Sequence, residues 1–145
     1  MKLSFSTSNA SPLDKPLAHG LARLGLGLCI ALHGYVRLPH LANFADELQK
    51  EFANTFLPPA LTHLTAEGIV IAEAIIGTFL LLGLFLRAAL VAGSALMILL
   101  LFGVCLLQKW EVAGLQLTYL AIYAALLFTA EWDRFSIDHW RRNRR

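Results

Sequence analysis

Charge is scarce in this sequence. Of its 145 residues, 15% are Asp, Glu, Lys or Arg, where soluble domains carry about a quarter. With 57% hydrophobic residues, so few charges cannot cover the apolar surface of a short chain in water, which excludes an ordinary soluble domain. Cysteine is limited to Cys29 and Cys105, which lie in separate apolar segments and form no CxxC pair. A disulfide framework is therefore excluded. No haem, flavin or iron–sulfur motif is present, so any redox electrons must come from elsewhere. Proline is absent from every apolar core, and strand-like segments are too few to close a barrel. Helices are then the only way for this chain to cross lipid.

Four long apolar segments are present, at 17–38, 60–86, 88–107 and 113–130. Short connections make consecutive helices antiparallel neighbours, so the expected fold is all-α, an integral membrane up-down four-helix bundle. Glycines at 25, 27, 34, 68, 77, 83, 93 and 103 suit close packing between membrane helices. Arg87 is read as the turn between the second and third spans. Between the first two spans, Leu41, Phe44, Leu48 and Phe52 recur at helical steps opposite Asp46, Glu47, Lys50 and Glu51. That pattern predicts an amphipathic interfacial helix over 40–56, lying at the surface or capping the bundle.

Residues Met1 to Pro16 form a polar tail without the layout of a secretory signal, so the first span is expected to stay in the mature protein. Residues 131–145 form a basic tail. With four spans, Lys2, Lys15, Arg87, Arg134, Arg141, Arg142, Arg144 and Arg145 share one side, and only Arg37, Lys50 and Lys109 the other. The positive-inside rule places both termini in the cytoplasm. The arginine tail is read as a topology anchor or lipid-headgroup contact rather than a nucleic-acid patch.

Glu73 is the outlying residue, an acid inside an apolar span. A carboxyl at mid-membrane costs about 2.5–3.5 kcal/mol, so it must face protein and find a partner. Counting about 1.5 Å per residue inward from the outer helix ends puts Glu73 near 20 Å and Arg23 near 22 Å. An Arg23–Glu73 pair is therefore expected, first as a structural staple and second as a proton-handling pair. The same count gathers His33, Glu67, Gln116 and Tyr119 in one layer, beneath a rim of Arg37, His63 and His40. Tyr119 and Tyr123 share a face. His33 is read evenly as a ligand-binding or a packing histidine. A metal at His33, His63 and Glu67 is chemically feasible but lacks a tight spacing motif, so none is assigned. Cys29 and Cys105, about 10 Å apart in depth, read as inert thiols.

Leu21-Ala22-Arg23-Leu24, then His33-Gly34-Tyr35-Val36-Arg37-Leu38, the acidic Glu73 with Gly77, Gly83-Leu84-Phe85-Leu86-Arg87 and the closing Arg134-Phe135-Ser136-Ile137-Asp138 stand in order along the chain. In this the chain resembles the DoxX family of small four-helix bacterial membrane proteins, related to the small subunit of thiosulfate:quinone oxidoreductase. The resemblance covers about residues 21–138 and departs at Glu131-Trp132-Asp133, where the family commonly has glycines. It implies an inner-membrane protein linked to quinone chemistry. Glu73, Arg23 and His33 would then be the reactive set, and His33, Tyr119, Tyr123, Gln116 and Glu67 would contact a quinone. The expected partners are the bilayer and a periplasmic or membrane redox protein, with no nucleic acid; a homo-oligomer stays open. The alternatives are a non-enzymatic scaffold for a periplasmic partner and a small transporter or channel.

Overall fold

The computed structural model describes residues 11–144. Among the described residues there are six α-helices: α1 (Asp14–Arg37), α2 (Leu41–Glu51), α3 (Pro59–Leu82), α4 (Leu86–Leu106), α5 (Trp110–Phe128) and α6 (Ile137–Arg142). Short 3-10 turns lie at Leu38–His40 and Ala130–Trp132. Four helices are long and apolar enough to cross a membrane, as expected: α1, α3, α4 and α5. The expected polar tail over 1–16 lies outside the described residues as far as position 10. From Asp14 onward it is already the first turn of α1.

Small residues set the central helix pair. Gly34 lies against the Ala74 backbone, Gly77 against the Ala31 backbone, and Gly27 against Leu81. A Cβ at any of these glycines would strike the facing helix, so α1 and α3 touch along an antiparallel seam. This register carries α3 about 15 Å beyond the end of α1, since residues 59–69 have no α1 partner. The amphipathic helix α2 covers that extension. Its Ala45 is fully buried, and the Thr62 and Ala66 positions of α3 are buried beside it. The apolar stripe of α2 is thus packed inward, capping the bundle.

The second hairpin is α4–α5, where the Tyr123 ring occupies the space that a Cβ on Gly93 would need. By contrast, α1 meets α5 over a far smaller surface than it meets α3. Large apolar side chains including Leu28, Val36, Val91, Ile98 and Leu117 point outward and are exposed. An apolar exterior around a bundle is what lipid, not water, would solvate.

Three boundaries differ from the sequence reading. Helix α2 ends at Glu51 rather than running on to 56. The turn between α3 and α4 is at residues 83–85, because Gly83 takes a left-handed conformation (φ 63°) that ends α3, and Arg87 falls inside the first turn of α4. The basic tail is also structured. Ser136 caps α6 by accepting the His139 N–H, and α6 folds back over the α3–α4 turn, where Asp138 N–H donates to Gly83 O at 3.1 Å.

Candidate functional site

Glu73 is buried, and its partner is Arg37. The Arg37 guanidinium donates to Glu73 Oε2 at 2.9 Å, with the carboxylate side chain 4% exposed and the arginine 35%. Arg37 also lies over the Phe44 ring at 5.0 Å, so α2 helps to hold it. The expected Arg23–Glu73 pair is not formed. The seam puts Arg23 level with Leu80–Gly83, about 10 Å along α3 from Glu73. Counting depth from helix ends fails because α1 and α3 do not end flush.

Arg23 has a different task at the opposite end of the bundle. Its guanidinium donates to the carbonyls of Leu80, Leu81 (3.0 Å) and Phe135 (3.0 Å). Leu80 and Leu81 belong to the last turn of α3, whose carbonyls lack the next helical N–H groups, and Leu80 O also accepts the Gly83 N–H at 3.2 Å. One buried cation therefore closes a helix end and ties down the tail. Around it lie His19, whose Nδ1 is 2.9 Å from Thr129 Oγ1, and Asp133, whose carboxylate accepts from the Ser136 hydroxyl. Asp138 accepts the Leu86 N–H at 2.8 Å and so caps α4. Sequence reasoning assigned no role to His19, Asp133 or Asp138. Their signal was present, as polar residues flanking apolar spans, but their partners are distant in sequence.

The second polar group lies between α1 and α5. His33 Nδ1 is 2.8 Å from Cys29 O, and Tyr119 Oη is 3.1 Å from Cys29 Sγ. Because a carbonyl can only accept, Nδ1 carries the proton, which leaves Nε2 of the neutral ring as a hydrogen-bond acceptor. His33 is exposed on the bundle surface. Cys29, expected to be inert, is half-buried and links the histidine turn to Tyr119. Gln116 lies one turn outward of Tyr119 and Tyr123 one turn inward, on the same face of α5. Gln116 Oε1 and Tyr123 Oη are buried and have no hydrogen-bond partner among the described residues. Buried polar atoms of this kind are uncommon and point to an unfilled hydrogen-bonding role.

Glu67 does not join this layer. It lies on the outer extension of α3, 3.8 Å from His63, which also approaches Asp46 of α2 at 3.4 Å. The same geometry separates His33 from His63. Among the described residues no three His, Cys, Asp or Glu side chains come close enough to hold a metal.

A separate recess of about 350 Å³ opens at the outer end, lined by Leu48, Phe52, Ile69, Leu99, Phe102 and Gly103. Its charged lining is the Glu51–Lys109 pair at 2.8 Å. It holds no proton-handling group besides that pair. No family model, curated protein or solved structure matches the chain.

Proposed function

We propose that the chain is a DoxX-like, multi-pass protein of the bacterial inner membrane, with both termini cytoplasmic, acting as the membrane subunit of a quinone-linked redox system. The observation that carries this reading is His33. It is an exposed imidazole on α1, one turn from Arg37, its Nδ1 held by Cys29 O and its Nε2 left as an acceptor. An idle polar group on a lipid-facing surface is costly, so this placement favours use. The residues that carry the family resemblance have structural work in this fold, at the α1–α3 seam (Gly34, Gly77), the α3 end (Gly83) and the tail clamp (Ser136, Asp138).

The donor set fits a quinone headgroup. His33 Nε2 would accept from a quinol hydroxyl, and Tyr119 Oη and the Gln116 side chain would hydrogen-bond the opposite oxygen. When bound, the quinone supplies two-electron chemistry that no side chain here can perform. The chain's own part is to orient the ring, shield it from water and take or return a proton at His33. Arg37 keeps Glu73 as a paired carboxylate close by. Electrons would pass to or from a partner protein.

The test uses purified protein in mild detergent, titrated with a short-chain benzoquinone and with its quinol, and read by tryptophan fluorescence. One lost hydrogen bond costs about 0.5–1.5 kcal/mol, so His33→Ala and Tyr119→Phe should each weaken binding by about two- to tenfold. Quinol should bind more tightly than quinone, because Nε2 accepts. Equal affinity in wild type and both variants, with no quinone in the lipid extract, would refute the reading.

A further inference from the structure

The clamp at Asp138 has a second consequence. Its N–H on Gly83 O and its carboxylate on the Leu86 N–H pin the start of α6 to the α3–α4 turn. Arg141 and Arg142 follow three and four residues later, so they fall on the clamped face of α6. That face lies over Phe85 and beside Arg87. Two recesses result, of about 260 and 250 Å³, which share Phe85, Asp138 and Arg142. Arg141 lines the first and Arg87 the second.

Among the described residues, Arg87, Arg141 and Arg142 form no ion pair and no side-chain hydrogen bond. The opposing charges are Asp133 and Asp138, each with one carboxylate oxygen engaged, by the Ser136 hydroxyl and the Leu86 N–H respectively. The three guanidiniums outnumber these two carboxylates. Phe85, a large apolar side chain that lines both recesses, is 56% exposed. Water does not favour such exposure, whereas an aromatic residue beside arginines suits the headgroup depth of a bilayer.

We propose that Arg87, Arg141 and Arg142 form a binding site for the phosphate of an anionic phospholipid, with Phe85 set against its acyl region. The planar fork of a guanidinium matches phosphate oxygens two at a time. A bound lipid bridges α6 to α4, so it holds the tail against the α3–α4 turn from outside while Arg23 holds it from inside. The site depends on the membrane reading and is independent of any quinone.

The test uses the full chain purified in mild detergent. Phosphatidylglycerol, phosphatidylcholine with the same acyl chains, and inorganic phosphate are added in separate arms. Lipid retention is read by mass spectrometry of the intact complex, and stability by thermal unfolding. Phosphatidylglycerol should be retained and raise the melting temperature, and phosphatidylcholine should do neither. Each basic side chain near an anionic surface is worth about fivefold, so Arg87→Gln/Arg142→Gln should weaken retention about thirtyfold. The lipid-free melting temperature should be unchanged, since neither side chain has a partner to lose. Rising salt should release the lipid from wild type, a readout that needs no variant. Equal retention of both lipids, or an equal shift with inorganic phosphate alone, would overturn the proposal. A chain recovered from cells without detergent would instead overturn the membrane reading beneath it.

Discussion

Removing Arg37 should be far more damaging than its half-exposed position suggests. At an effective dielectric constant of about 20, unit charges 2.9 Å apart attract by about 6 kcal/mol. Desolvation of Glu73 and partial solvation of Arg37 offset much of this, leaving an expected coupling of about 2–3 kcal/mol. Arg37→Ala strands a carboxylate at 4% exposure and should cost about 3–5 kcal/mol. Glu73→Gln removes the charge and should cost less, about 1–2 kcal/mol. The double variant should recover most of the difference. Reversible unfolding in mixed detergent micelles gives all four free energies of the cycle. A parallel cycle with Arg23→Ala and Glu73→Gln should be additive within about 0.5 kcal/mol, because the two residues sit at different depths and share no partner. If Arg37 and Glu73 prove additive, or Arg23 and Glu73 couple, the assigned register of α1 on α3 is wrong.

Gly77→Leu would drive a side chain into the Ala31 backbone and should cost at least about 1–3 kcal/mol, whereas Gly25→Leu, with open space around it, should be near neutral; the same unfolding assay separates them. Gly83→Ala puts a Cβ against Ser136 at a left-handed φ of 63°. It should lower stability by about 1–3 kcal/mol and make the segment after Asp133 a preferred site of limited proteolysis. Tyr123→Phe removes a buried hydroxyl that has no partner among the described residues, so unfolding stability should hold or rise slightly. A loss above about 1 kcal/mol would show that the hydroxyl has a structural partner.

Much of the architecture was legible in local pattern. Apolar segment length defined the four long helices, and helical spacing of Leu41, Phe44, Leu48 and Phe52 defined α2, while the turn that ends α3 at Gly83 is read from the sequence at Arg87. The polar groups were legible only as problems needing partners. Glu73 in an apolar helix demanded a cation, and both Arg23 and Arg37 were available on the preceding helix. Helix ends were the only depth reference in the sequence, and they selected Arg23.

The tertiary structure decided between them, because the offset of two packed helices is set by which small residues interlock, not by where each helix stops. Gly27, Ala31 and Gly34 against Leu81, Gly77 and Ala74 slide α3 outward, bring Glu73 to Arg37 and free Arg23 to close the α3 terminus. The same holds for the tail, where Phe135 O meets Arg23 of α1 and Asp138 meets the Leu86 N–H of α4, partners far apart in the chain. Composition and periodicity thus determined that four long apolar helices form and that one acid lies within them. Steric contact between backbones far apart in the chain determined which charge meets which.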